Sequence, residues 1–272
     1  MENRDMKTKY YKFPKIFHFL WSENLQNEDR LLPDIKGFVN KRIIVSEKID
    51  GENTSIYGNH IHARSIDSKD HPSRHWVKNL HARIKHEIPD GWRICGENCF
   101  ALHSIYYTEL PSYFLVFGVY NEKNEYLNWD DTVEICNMLG LIHVPVLYDG
   151  IWGENEVKKC FTGKSVYKGW KPNPAIYLSD VEGWDKETRE NSDMDLSVNH
   201  FNIFRDLIVG KFPIEEFALE TQEGYIVRIA DSFHYDNFQK YNAKFVRKSH
   251  VQCSDFWMTQ PVIRNKLKNG TR

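Results

Sequence analysis

The sequence predicts an α+β fold in which mainly antiparallel sheets are flanked by helices. Three observations carry this. Two short β-type runs flank the Gly58-Asn59 pair, the signature of a hairpin turn. Further short strands are interleaved with a few helical patterns, and hairpins join them. The chain has 272 residues, 41% of them hydrophobic and 14% aromatic. That is enough to bury a sizeable core in one large domain or two small ones. Without an internal repeat, a single domain over residues 1–272 is expected.

Taken in order, residues 42–48 (RIIVSEK) are β-branched and short, as a strand requires. Residues 54–57 and 61–65 form the hairpin. From Ser73 onward, Trp76, Leu80, Ile84 and Ile88 recur at helical spacing, and Pro89 and Gly91 end the pattern. Residues 93–100 read as a strand and 113–120 as a fully buried one. A helix is predicted over 129–139, with Asn128 as N-cap and Gly140 after its last turn. Residues 142–147 return to strand. The stretch 162–199 is polar and irregular, and its part 180–195 holds seven carboxylates against two basic residues. It reads as a surface insertion. Residues 201–209 read as helix and 224–229 as strand.

Charge narrows the function classes little. The net charge is −2, so there is no global basic excess of the kind that announces a nucleic-acid binder. Positive charge can still be concentrated in one cleft. The charged N-terminus lacks the apolar core of a secretory signal, and no apolar run is long enough to span a bilayer. Five scattered cysteines without a C-x-x-C pair fit a reducing compartment. A soluble, cytoplasmic protein without membrane contact is expected.

The sharpest feature is Lys48-Ile49-Asp50-Gly51-Glu52-Asn53, at the end of a strand. A lysine acts as a nucleophile only when its amine is unprotonated, which burial and neighbouring cations promote. Asp50 and Gly51 suit a tight turn, the glycine letting a nucleotide approach the backbone. K-x-D-G occurs by chance in about one chain in twenty of this length, and with the asparagine in about one in four hundred.

These six residues resemble the first motif of the covalent nucleotidyltransferases, which comprise ATP-dependent ligases and mRNA capping enzymes. The resemblance continues in order. Gly96-Glu97-Asn98 followed by His103-Ser104-Ile105 is similar to a segment typical of RNA ligases. Residues 113–120 resemble the aromatic strand on which the base stacks. Glu223-Gly224 opens a segment like the fourth motif, and Lys244 lies in one like the fifth. The matching stretch runs from Lys48 to Arg247.

The resemblance implies a nucleotidyltransferase fold and a role for each matching residue. Lys48 would carry AMP through a phosphoramide bond, with Glu223 close to the lysine and metal. Lys244 would neutralise charge developing on the α-phosphate. In the nucleotide pocket, Glu97 would bond the ribose and Phe117 would stack on adenine. Glu47 and Ile49, which flank the lysine, belong to the same pocket. Asn53 would orient phosphates or the acceptor end, and Arg64, expected on the second hairpin strand, would contact phosphate or the 3′-end. One departure stands out: many relatives carry K-x-K in the fifth motif, whereas Phe245 and Val246 follow Lys244 here. Arg247 or Lys248 is left to supply the second charge.

What this implies is an ATP-dependent RNA ligase joining 3′-hydroxyl and 5′-phosphate ends of RNA. ATP and a divalent metal, Mg2+ or Mn2+, are expected, with the metal ligands left open. Capping enzymes usually have arginine where Asn53 stands, and they and DNA ligases append an OB domain. Only 28 residues follow Lys244, too few for one. NAD-dependent ligases carry an N-terminal domain for which 47 residues leave little room. A non-catalytic RNA- or nucleotide-binding module would not require the lysine, both glutamates and Lys244 together.

Other features carry less. Lys158 stands where a P-loop ending at Gly163-Lys164-Ser165 needs glycine. His60, His62, His71 and His75 are not completed into a zinc quartet. Cys95 and Cys99 read as packing residues. The basic stretch 264–268 reads either as a phosphate contact or as a solvated terminus.

Overall fold

The computed structural model describes residues 9–170, 221–248, 262 and 264–268. The helix expected over 201–209 and the acidic stretch 180–195 lie outside them.

Two sheets form the frame. The first contains β1 (Phe17–His18), β2 (Arg42–Glu47), β10 (Val146–Ile151), β12 (Gly224–Ile229) and β14 (Asn242–Val246). Their order is β1-β14-β12-β2-β10, antiparallel except that β1 runs parallel to β14. The second contains β3 (Glu52–Tyr57), β4 (Ile61–Ala63), β5 (Arg93–Asn98), β7 (Phe114–Tyr120), β8 (Glu125–Tyr126), β9 (Ile142–His143) and β13 (Phe233–His234). It runs β13-β8-β7-β5-β3-β4, with β9 parallel to β7. A small pair joins β6 (Tyr106–Tyr107) to β11 (Gly169–Trp170). The mixed, mainly antiparallel α+β class is the one the sequence predicts.

Helices α1 (His75–Ile84) and α2 (Trp129–Met138) cover the outer face of the second sheet. Their apolar stripe meets the strands in a cluster of Ile56, Val77, Leu80, Ile84, Ile94, Phe114, Val116, Val119 and Cys136. The expected cap of α2 is present: Asp131 N–H donates to Asn128 Oδ1 at 2.8 Å, and Gly140 takes a φ of +63° after the helix. Ahead of α1, a 3-10 turn over Pro72–Arg74 is capped by the His71 side chain. Two short helices, α3 (Glu154–Lys159) and α4 (Phe238–Tyr241), complete the described elements.

One expectation needs correction and two are sharpened. The strand predicted over 142–147 is two strands in different sheets. Pro145 has no N–H to extend β9, and its carbonyl instead accepts Glu47 N–H at 3.0 Å, so the chain changes sheets there. Of the surface insertion expected over 162–199, only residues 162–170 are described: Thr162, Lys164, Val166 and Lys168 are exposed, and the segment is tied down at its base. Thr221 N–H donates to Gly163 O at 2.8 Å, Ser165 N–H to Thr221 Oγ1 at 3.0 Å, and β11 pairs with β6. In the basic stretch 264–268 the side chains of Arg264, Lys266 and Lys268 are exposed, but the segment is docked. Asn265 is 1% exposed, and its side chain donates to Cys99 O and Ala101 O and accepts from Tyr107 N–H. No helix among the described residues is long and apolar enough to cross a membrane.

Candidate active site

Lys48 follows β2 directly, and its backbone N–H donates to Gly224 O at 3.0 Å, which locks it beside β12. The pairing of β2 with β12 brings Glu223, at the head of β12, to the lysine across 175 residues of sequence. The Lys48 ammonium and Glu223 Oε1 form a close ion pair, and the Glu223 side chain is 1% exposed. Burial pulls the Lys48 amine down, but the carboxylates of Glu223, Glu97 and Asp50 outweigh it, and the net shift is upward. The expectation that burial and neighbouring cations leave this amine deprotonated is therefore corrected for the substrate-free protein. Its neighbours are mainly anions.

Glu97 faces the lysine from the second sheet. On β5 it stands opposite Asn53 of β3 and Leu115 of β7. Burial lifts its carboxyl to about 8, although Lys48 opposes the shift. Asn53 Oδ1 is buried without a hydrogen-bond partner among the described residues. Phe117 projects from an irregularity in β7, where Cys95 pairs with Gly118 and Gly96 with Val116, leaving Phe117 between them. Its half-buried ring meets Phe13 edge-on at 4.9 Å.

The turn after Lys48 has a role that the sequence did not disclose. Asp50 Oδ2 accepts from Ser104 N–H (2.7 Å), Ser104 Oγ–H (2.7 Å) and Ile105 N–H (3.0 Å). Asp50 N–H donates to Tyr107 Oη at 2.9 Å. The lysine motif and the His103-Ser104-Ile105 segment are thus one hydrogen-bonded unit, and Asn265 clamps the same loop from behind. Charge-assisted bonds of this kind are the stronger class. Gly51 is required by contact within the protein: a Cβ there would lie 2.7 Å from Asn98 O. The close approach it permits is to β5, where a nucleotide was expected.

Lys244 lies on β14, with Nζ 3.4 Å from Asp29 Oδ1. Burial and the charge of Lys48 lower its amine. The remaining candidates are placed differently. Ile49 is packed in the core with Cys99, Ile105 and Tyr107. Glu47 turns its carboxylate to the 165–166 turn, accepting from Val166 N–H at 2.9 Å, and burial raises it to about 7. Arg64 is exposed just beyond the end of β4, off the strand where it was expected. Arg247 is buried, its Nε–H donating to Gln222 O at 2.9 Å and its backbone N–H to Glu223 O at 3.1 Å. It supports the turn that presents Glu223. Lys48, Glu223, Glu97 and Lys244 therefore form one electrostatic group, whereas Arg64, Arg247, Glu47 and Ile49 stand around it or behind it.

Sequence reasoning missed His18 and Asp29. His18 pairs in register with Lys244, and its Nε2 lies 3.2 Å from Asp29 Oδ2. Nothing in the ordinary apolar run Ile16-Phe17-His18-Phe19-Leu20 marks the histidine out.

The family model described as RNA ligase matches residues 41–246. No curated protein matches. Among solved structures, Naegleria gruberi RNA ligase with PPi is similar at 14% identity and a TM-score of 0.47, covering 88% of this chain and 58% of that one. A putative ATP-dependent DNA ligase from Aquifex aeolicus shows 19% identity and a TM-score of 0.44, covering 88% of this chain and 50% of that one. An archaeal ATP-dependent RNA ligase shows 14% identity and a TM-score of 0.42, with coverage of 88% and 48%. The chain thus spans between about half and three fifths of the length of these structures. With three quarters of its residues under the family model, from just before β2 to the end of β14, the chain belongs to the RNA ligase family.

Proposed function

We propose that the chain is an ATP-dependent RNA ligase that carries AMP on Lys48. The observation that carries this reading is the Lys48 amine held against Glu223, with Glu97 and Lys244 at the same point of the cleft. An ammonium is not a nucleophile, so its proton must leave first. Glu223, already in contact, is the group that takes it. The amine then attacks the α-phosphorus, a P–N bond forms, and the bond to the bridging oxygen breaks as pyrophosphate departs. Lys244 opposes the charge that develops. In this reading Glu97 bonds the ribose and Phe117 stacks on the base.

In the second step the 5′-phosphate of an RNA end takes AMP from the lysine. In the third, a 3′-hydroxyl attacks that phosphate and AMP leaves. Asn53, with a buried amide oxygen that lacks a donor among the described residues, is the residue that orients the acceptor end.

Among the described residues no three carboxylates, imidazoles or thiols converge as a preformed metal site. Glu223, the carboxylate beside the lysine, nonetheless fits Mg2+ or Mn2+, because such ions commonly bind through one or two carboxylates and substrate phosphates. The ion would supply neutralisation of phosphate charge.

The test is incubation with labelled ATP or GTP, followed by denaturing electrophoresis. ATP label that survives denaturation, and is lost in both Lys48→Ala and Lys48→Arg, is expected, since arginine cannot shed its proton. Label from GTP alone would make the protein a capping-type enzyme. Absence of label would favour a binding module. Sealing of nicked RNA, DNA and hybrid duplexes by the labelled protein then identifies the polynucleotide.

A further inference from the structure

Lys244 has a neighbour from outside the segment that the family model matches. β1 lies parallel to β14 and puts His18 in register with Lys244. The imidazole is 1% exposed. Its Nδ1 stands 2.7 Å from Ser22 Oγ, which itself accepts Val246 N–H at 3.0 Å. The Ser22 hydroxyl proton is better placed on Nδ1 than on Val246 O, which is 3.4 Å away. That leaves the ring proton of His18 on Nε2. Burial, with Lys244 beside it, holds the ring neutral by pulling it down to about 4.

The Nε2 donor is buried and has no hydrogen-bond partner among the described residues. Asp29 Oδ2 is 3.2 Å away but out of alignment, and Asp29 Oδ1 is 3.4 Å from the Lys244 amine. A partly exposed carboxylate, oriented by Gln26 N–H at 3.1 Å, therefore spans two donors and satisfies neither well. Unsatisfied buried donors are uncommon, and one beside a lysine needs an explanation. Neither Arg247 nor Lys248 fills the place. The first supports Gln222 O and the second is exposed.

We propose that His18 Nε2–H and the Lys244 ammonium together form a phosphate seat for the nucleotide and for pyrophosphate, with Asp29 as the occupant that the incoming anion displaces. A pyrophosphate or triphosphate group carries several charges where the carboxylate carries one, and it has no fixed tether. It can therefore align with both donors where Asp29 cannot. The absent second lysine of the fifth motif is then answered from β1, by an imidazole donor on the adjacent strand. The inference rests on the proposed adenylylation site for its ligand, and its test has a part that does not depend on activity.

The two ring nitrogens can be separated by substitution. Glutamine places an amide nitrogen near the Nε2 position, whereas asparagine reaches only as far as Nδ1. Inorganic pyrophosphate is titrated into each protein by calorimetry, and the ATP dependence of Lys48 labelling is measured in parallel. His18→Asn is expected to weaken pyrophosphate binding and raise the KM for ATP by about tenfold, the effect of losing one hydrogen bond to a charged group. His18→Gln should stay within about threefold of the wild type, because its donor is retained. Asp29→Asn, which keeps an oxygen for Gln26 but removes the competing charge, should tighten pyrophosphate binding severalfold. Equal pyrophosphate affinity in His18→Asn and His18→Gln would overturn the seat, as would weaker binding in Asp29→Asn. If His18→Asn does not fold, Asp29→Asn decides. If the wild type takes no label from ATP, the adenylylation reading fails, while the pyrophosphate titration still tests the seat.

Discussion

Toward α1 and α2 the second sheet presents Ile56, Ile94, Phe114, Val116 and Val119, and toward the first sheet it presents Asn53, Glu97 and Phe117. The strands are the same: side chains alternate along them, and the irregularity at Phe117 shifts the alternation of β7 by one residue. On the helix side the cluster between sheet and helices is apolar, and the polar groups buried beside it are paired, as Asn98 is with Ser73 O. On the cleft side a buried amide oxygen lacks a partner among the described residues, a carboxyl is raised to about 8, and a lysine is packed against glutamates. Burying such groups is unfavourable by itself. The contrast teaches that the outer face supplies cohesion, which lets the inner face hold polar and charged groups that burial alone disfavours.

Breaking the apolar side should produce the largest change in stability. Phe114→Ala removes a ring with no exposed surface and is expected to destabilise the fold by about 3–5 kcal/mol. AMP labelling per folded molecule should be unchanged. A loss of labelling that exceeds the loss of folded protein would show that the two faces are not separable.

Lys244→Ala tests the opposite side. Its effect should fall on the transition state, slowing Lys48 labelling by about 3–4 kcal/mol equivalent. The denaturation midpoint should barely move, and a large fall in stability at a normal labelling rate would reverse the assignment.

Glu47 sharpens the comparison because it is a charge buried behind the site. Its folded carboxyl, raised to about 7, holds a proton more tightly than the unfolded chain does. Stability from that proton is intact below the ordinary carboxylate range and is lost as pH rises through about 7. Glu47→Gln keeps the shape and an acceptor for Val166 N–H but has no proton to lose. Relative to wild type it should gain up to about 3 kcal/mol between about pH 4 and about pH 8. Denaturant titrations at both ends of that range measure the gain. A difference that does not vary with pH would mean that Glu47 is not held protonated.

Phe117 gives the smallest effect. Phe117→Ala should weaken ATP binding by about 1–3 kcal/mol, and Phe117→Tyr should retain it. Equal affinity in the alanine variant and the wild type would remove the ring from the pocket.

Local signals in the sequence were read well where the physics is local. The N-cap at Asn128, the turn at Gly58-Asn59 and the burial of β7 all appear as the residues predict. The turn after Lys48 was legible because a tight turn needs particular residues at fixed spacing. Asp50 was read as a turn former, although its three hydrogen bonds reach residues more than fifty positions away. The strand break at Pro145 was missed because apolar residues continue across it on both sides.

By itself, the sequence determined the α+β class and the order of the motifs, which follow from residue type and spacing within short windows. It offered Lys48, Glu97, Glu223 and Lys244 as candidates through the resemblance of those motifs to the covalent nucleotidyltransferases. Tertiary structure alone decided which of the candidates meet. Strand pairing set Glu223 on Lys48, turned Glu47 to the 165–166 turn, left Arg64 exposed beyond its strand, and brought His18 and Asp29 to Lys244. It also decided the protonation balance, because burial and the sum of nearby charges shift a proton, and both are properties of the closed cleft rather than of any short segment.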